Sequence, residues 1–171
     1  MGSVRAGLLS DTHGRLDGAL WKLFEGVDLI LHAGDVGNFD LLRELETIAP
    51  VRAIRGNMDP YHSQYPEIVT TNVGGLTVHV RHKVDTRQTM LEFFTRRVEA
   101  DIVLFGHTHM PFLKRVRNTL FVNPGSASRP RTGPNSAGLL VVEDARPLVT
   151  VHSLADPDFH VMQRWPPVDR T

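Results

Sequence analysis

The sequence contains no cysteine, which excludes a disulfide framework and any thiolate metal site. A bound metal would have to be held by His, Asp, Glu or Asn. Neither charge is in excess, with 19 Lys and Arg against 19 Asp and Glu. That balance argues against broad attraction to nucleic acid or a membrane and leaves any anionic ligand to a local site. Among the basic residues Arg far outnumbers Lys, a bias of composition that also suits bidentate phosphate contacts. No apolar run reaches the length that spans a bilayer. The start, MGSVRAGLLSDTHG, lacks the basic opening and long apolar core of a signal peptide, and position 6 lacks the Ser or Thr that myristoylation favours. A cytoplasmic protein without stable nucleic-acid or membrane binding is expected. The chain also lacks internal repeats and low-complexity linkers.

What is present suits one folded domain over residues 1–171: 41% hydrophobic and 22% charged residues rule out a chain too polar to build a core. Apolar runs at VRAGLLS, VDLILHA and VRAIRG alternate with helix-like stretches RLDGALWKLFEG and FDLLRELETIAP, predicting β-α-β-α-β. Gly74 and Gly75 mark a hairpin between EIVTTNV and LTVHVRH. In TRQTMLEFFTRRVE, Met90, Phe93, Phe94 and Arg97 fall at helical spacing. Strands then follow at ADIVLFG, PFLKRVRN, TLFVN, AGLLVVED and PLVTVHSL. The tail has no clear period and is expected to form, over 156–171, a surface arm or a dimer contact.

Chemistry-bearing residues recur just after the apolar runs. LLSDTH supplies Asp11 and His13, LHAGD supplies Asp35, IRGNMD supplies Asn57, HVRH supplies His82, and LFGHTH supplies His107 and His109. In α/β sheets, sites form beyond the carboxyl ends of strands, so residues from five distant segments are expected at one edge. Alone, Asp11 reads as a capping Asp, and Asp35 and Asn57 as turn residues; the repeated placement turns the reading toward ligation. Carboxylate, imidazole and amide donors without sulfur suit first-row divalent ions. Seven donors exceed one tetrahedral site and fit two ions bridged by a carboxylate, for which Asp35 is the natural choice. In an extended segment residues two apart share a side, so Asp11 and His13 would both point inward and His107 and His109 would serve one ion each.

The order D-x-H, G-D, G-N, H, G-H-x-H resembles the calcineurin-like metallophosphoesterase superfamily. SDTHG, HAGD, GNMD, GHTH and VNPGSASRPR are similar to its small prokaryotic phosphodiesterase branch, which also includes the eukaryotic retromer subunit that serves as a scaffold. The resemblance spans residues 8–131. It implies an α/β fold with two β-sheets packed face to face and helices on the outer faces, a four-layer sandwich. It further implies that Asp11, His13 and His109 hold one ion, Asn57, His82 and His107 a second, and Asp35 both. A water or hydroxide between the ions would attack phosphorus, with Asp35, Asn57, His82 and His107 as the catalytic set. Manganese is the expected ion, and iron, nickel, cobalt and zinc also suit the ligands. The implied partner is a small-molecule phosphoester, with nucleotides among the candidates; a homo-oligomer is left open.

Two departures qualify the resemblance. Met58 follows the G-N pair where many superfamily members have a proton-donating His, and Lys83 follows His82 where the family usually has Gly. Met58 points to diesters with weakly basic leaving groups, while Lys83 would alter the turn that aims His82. His32 is read as a buried histidine orienting a ligand, and Asp59 as a partner of the ligand loop or a turn residue before Pro60. Arg129 and Arg131 in SRPR are read as phosphate contacts or solvated loop residues. His79 is placed on a sheet face, and His62, His152 and His160 at the surface, with His62 near the cleft. Rivals to the phosphodiesterase are a metal-containing scaffold and a phosphomonoesterase.

Overall fold

Runs that alternate inward and outward, cut by Gly, Pro and Asn, form eleven strands and three short helices among the described residues. The computed structural model describes residues 2–156 and 158–166. The first half forms β1 (Val4–Leu9), α1 (Ala19–Leu23), β2 (Leu29–His32), α2 (Asp40–Leu45) and β3 (Val51–Ala53), followed by the hairpin of β4 (Ile68–Val73) and β5 (Leu76–Arg81). Then come α3 (Gln88–Thr95), β6 (Ile102–Leu104), β7 (Pro111–Val116), β8 (Thr119–Pro124), β9 (Ser136–Glu143), β10 (Arg146–Ser153) and β11 (Val161–Trp165).

One sheet has the order β11-β10-β9-β1-β2-β3 and the other β4-β5-β6-β8-β7. β1, β2 and β3 run parallel, as do β5, β6 and β8. Each parallel set therefore sends its carboxyl ends to a single edge. Gly74 and Gly75 both have positive φ, 58° and 92°, the backbone that a tight hairpin demands and glycine adopts without strain.

The two sheets face each other across Ala6, Leu8, Val78, Val80, Leu104 and Val122. The outer face of the first sheet is covered by α1 and α2 through Leu20, Leu23, Leu41 and Leu45 packed on Leu9 and Ile30. On the other side, α3 sets Leu91 against Val103, Phe105 and Phe121. The result is the helix, sheet, sheet, helix sandwich that the resemblance implies.

Three features differ from the periodicity. The first two helices are shorter than their apolar patterns: α1 begins only where the Asp17 carboxylate accepts from the Ala19 N–H at 3.0 Å, and the chain leaves it at Gly26, φ 72°. In α3 the buried stripe is Leu91 with half-buried Phe94, whereas Met90 and Phe93 are 38% and 48% exposed and Arg97 is exposed. Phe94 meets the rings of His79 and Phe121 edge-on, and this rotates the helix away from the expected face. Finally, the span 156–171 contains an edge strand, β11, paired antiparallel to β10, where an arm was expected. Residues 157 and 167–171 of that span lie outside the described residues. His152 is half-buried, its Nδ1 2.8 Å from the Phe159 carbonyl oxygen, because β11 and its loop cover it.

Candidate metal centre

β1 ends before Asp11 and His13, β2 before Asp35, β5 before His82, and β6 before His107 and His109. The loops after β1 and β2 are laced together: the Asp11 N–H donates to the Gly34 carbonyl at 3.0 Å, the His13 N–H to that of Asp35 at 3.0 Å, and the Gly14 N–H to that of Val36 at 2.7 Å. The D-x-H and H-x-H segments are not extended. Asp11, His13, Asp35, His107 and His109 all have left-handed φ, between 45° and 69°, a region that costs a non-glycine residue about 1–3 kcal/mol and persists only where the surroundings hold it. That curl, rather than strand alternation, turns neighbouring side chains toward one point.

The motif glycines make room for this. A Cβ on Gly56 would fall on the Asp35 carboxylate and backbone, and one on Gly106 would fall on Ser10 Oγ and the Asp11 carboxylate. Both loops can approach the acids only because no side chain intervenes.

One ligand-capable atom from each of Asp11, His13, Asp35 and His109 lies within 4.8 Å of the other three. His109 Nε2 is 3.2 Å from Asp11 Oδ1 and 3.1 Å from His13 Nε2. On the other side, His82 Nε2 is 3.3 Å from Asp35 Oδ2 and 4.0 Å from Asp11 Oδ1. The His107 ring stands edge-on to that of His82, centroids 5.4 Å apart, and exposed Asn57 shares a cavity wall with His82.

Backbone carbonyls orient two of these rings. Nδ1 of His109 is 2.6 Å from the Arg129 carbonyl oxygen, and Nδ1 of His82 is 2.7 Å from that of Ala33. A carbonyl only accepts, so each Nδ1 donates and each neutral ring presents its Nε2 lone pair inward. His82 Nε2 is buried and makes no hydrogen bond. A lone pair held against carboxylate oxygens fits a cation between them, and the donor set suits a divalent metal.

The electrostatics of His13, His107 and Asp35 agree, while Asp11 and His82 are shifted toward protonated forms whose proton a bound cation would displace. Burial disfavours the charged forms of His13 and His107, lowering both pKa values, with the nearby Lys83 ammonium adding to the effect on His107; neutral imidazole is the ligating form. Burial raises the Asp11 carboxyl despite its hydrogen bond from Ser10 and the nearby His82 and His109. Burial also opposes ionisation of Asp35, but His82, the Met58 N–H at 2.8 Å and His13 outweigh it and hold the carboxyl below its ordinary value. For His82, burial is outweighed by Asp35, the Ala33 carbonyl and Asp11, and its pKa is raised.

The calcineurin-like phosphoesterase superfamily domain matches residues 4–145. This chain belongs to that superfamily. It is 36% identical over 148 residues to a Methanothermobacter thermautotrophicus protein named "Probable metallophosphoesterase", covering 80% of this chain and 85% of that one. To a phosphodiesterase of Methanocaldococcus jannaschii it is 26% identical over 158 residues, covering 82% and 94%. Among solved structures, Vps29 of Entamoeba histolytica in complex with Zn²⁺ superposes with a TM-score of 0.80 at 21% identity, covering 94% of this chain and 98% of that one; at that identity the likeness concerns the fold.

In this member of the superfamily the residues around the cluster have clear positions. Buried His32 accepts the Gly34 N–H on Nδ1 at 3.1 Å and places Nε2 3.0 Å from Thr12 Oγ1, tying the first two loops together. Burial, only partly offset by Asp59, lowers its pKa to about 4. Asp59 accepts from the N–H groups of Val36, Gly37 and Gly56 at 2.7–3.1 Å, so it anchors the loops that carry Asp35 and Asn57. Arg129 contributes its carbonyl to His109, and its charge lies near His13. Arg131 enters through its backbone, its N–H donating to the His109 carbonyl at 3.2 Å. Exposed Lys83 leaves His82 firmly aimed. His79 lies on a sheet face against Phe94, and His62 and His160 are exposed.

The segment NPGSAS does more than turn. Asn123 Nδ2 donates to the Gly106 carbonyl at 2.9 Å and to Thr108 Oγ1 at 3.0 Å, Ser126 Oγ to the Asp11 carbonyl at 2.7 Å, and Ser128 Oγ to the Thr12 carbonyl at 2.6 Å. These residues clamp the D-x-H and G-H-x-H loops together. Their sequence signals are the family resemblance of VNPGSASRPR and a cluster of short polar side chains at the end of a fully buried strand.

Proposed function

We propose that this chain is a binuclear metal-dependent phosphodiesterase. The observation that carries the reading is the position of Asp35, whose Oδ2 lies 3.9 Å from His13 Nε2 and 3.3 Å from His82 Nε2. One carboxylate thus faces two separate groups of imidazoles. Asp11, His13 and His109 would hold one divalent ion, Asn57, His82 and His107 the other, and Asp35 both, with manganese the expected metal. When bound, such ions supply a hydroxide-like nucleophile at neutral pH and neutralise charge on the phosphoryl oxygens. Similarity to a protein named phosphodiesterase supports a diester substrate.

In the reaction a water oxygen bonds to phosphorus, the bond from phosphorus to one ester oxygen breaks, and the leaving alkoxide takes up a proton to leave a monoester. The carbonyls of Ala33 and Arg129 keep His82 and His109 in the tautomer whose Nε2 points inward. Met58, 68% exposed beside the site, has no proton to give. The leaving group then draws its proton from solvent, which favours aryl and other weakly basic leaving groups.

The test compares bis(p-nitrophenyl) phosphate with p-nitrophenyl phosphate after metals are stripped and Mn²⁺ is restored. Metal-dependent diester turnover that exceeds monoester turnover and drops at least about a hundredfold in Asp35→Asn is expected. A Met58→His variant should gain most on alkyl diesters, and no gain there would remove the leaving-group explanation. A second reading, a metal-containing scaffold, draws on Met58 and on the likeness to Vps29. Bound metal without turnover of either ester would select it.

A further inference from the structure

Beside His82 and Asn57 lies a cavity of about 380 Å³ whose other walls carry Arg55, Tyr61, Arg81 and Lys83. Its charges are unevenly matched. The Arg55 guanidinium is paired with Glu67 at 2.8 Å, and the Asp59 carboxylate is consumed by three backbone N–H groups. Arg81 has no carboxylate partner among the described residues; its guanidinium lies over the Phe94 ring, 5.3 Å from the centroid, and its Nε is buried without a hydrogen bond. The Lys83 ammonium likewise makes no ion pair or hydrogen bond among the described residues. Two cations therefore line the cavity with no carboxylate paired to either among the described residues, and a stacked guanidinium keeps N–H groups at its edge for an anionic ligand.

The rim is of different character. Tyr61 is 82% exposed, an unusual placement for a large ring. It is held by the Arg55 guanidinium, 4.5 Å from its centroid, which Glu67 holds in turn. Ile68, 47% exposed, continues this apolar wall. A ring presented in this way stacks a planar base, an interaction tolerant of base identity.

We infer that this cavity receives a nucleoside bearing a second phosphate, so that the substrates are phosphodiesters with a phosphorylated nucleoside on one side. The base stacks on Tyr61 and the extra phosphate meets Arg81 and Lys83, while the scissile phosphate lies by His82 and Asn57. Lys83 is then the residue that distinguishes this substrate from a diester without a second charge. The inference rests on the phosphodiesterase reading for the scissile phosphate, but its own contacts are separate from the metal ligands.

The experiment is calorimetric titration of the Mn²⁺-loaded protein with adenosine 3′,5′-bisphosphate and with adenosine 5′-monophosphate, neither of which has a diester bond to cleave. The bisphosphate is expected to bind about tenfold more tightly. Lys83→Ala should shrink that margin to within about threefold, and Tyr61→Ala should weaken both ligands together by about tenfold. Both side chains are exposed, so the variants should fold, which circular dichroism checks. Equal affinity of the wild type for the two nucleotides would overturn the inference, as would a margin that survives Lys83→Ala. So would an equal loss in Arg146→Ala, an exposed cation at the start of β10, because the effect would then be one of net charge. Hydrolysis of bis(p-nitrophenyl) phosphate by the same wild-type sample reports on the phosphodiesterase reading alone. A protein that hydrolyses the aryl diester without preferring the bisphosphate therefore refutes the subsite and spares the enzyme.

Discussion

His82 Nε2 lies 3.3 Å from Asp35 Oδ2 in a buried position and forms no hydrogen bond, because Nδ1 of the same ring is already committed to the Ala33 carbonyl. Two electron-rich atoms facing each other are satisfied together by a cation. Metal analysis after reconstitution with Mn²⁺ should find about two ions per wild-type chain and about one in His82→Ala. Asp35→Asn should retain fewer than either. Equal metal content in all three would show that this pair does not ligate.

The absent side chain of Gly106 is as important as the ligands. A Cβ there collides with Ser10 Oγ and the Asp11 carboxylate, which are bonded to each other at 2.6 Å. Gly106→Ala should therefore lower stability by about 1–3 kcal/mol, as overpacking does, and weaken metal retention by displacing Asp11. Urea denaturation and metal analysis check the two effects. Unchanged values would mean that the loop after β6 yields without moving the acid.

Buried His32 sets a pH dependence on the metal-free protein. Its pKa falls from an ordinary 6.5 to about 4 on folding, chiefly through burial. Between these values the unfolded chain holds a proton that the folded chain does not, so stability from this group falls as the pH drops from 6.5 to 4. The full loss is about 3 kcal/mol, with no further contribution below pH 4 or above pH 6.5. Urea midpoints measured in chelator across this range should show the slope, and His32→Gln should flatten it relative to the wild type.

The outer layer of the second sheet offers a contrast between neighbours. Leu91 is wholly buried and Met90 is 38% exposed. Leu91→Ala should cost about 2–5 kcal/mol, whereas Met90→Ala should cost under about 1 kcal/mol. Thermal denaturation distinguishes them, and comparable losses would mean that α3 presents a different face.

Local chemistry and periodicity were enough to determine the first ten strands, the hairpin at Gly74 and Gly75, and the identity of the candidate ligands. Those features depend on alternation over a few residues and on side chains suited to metal, both written along the chain. D-x-H and H-x-H were legible as pairs that point the same way, but the expected geometry was wrong. Strand alternation predicts extended backbone there, whereas Asp11, His13, Asp35, His107 and His109 adopt left-handed φ under the hold of hydrogen bonds from distant loops.

Tertiary structure alone decided the rest. The face that α3 buries depends on where Phe94 meets His79 and Phe121, a contact between residues far apart in sequence. β11 acquires its conformation by pairing with β10 rather than from a period of its own. The same holds for Asn123, Ser126 and Ser128, whose short polar side chains look like an ordinary turn until folding sets them against the loops of Asp11 and Gly106. Sequence chose the atoms able to bind and the glycines that let them approach; the packing of two sheets chose which of those atoms meet, because distances across the sheet edge are set by long-range pairing.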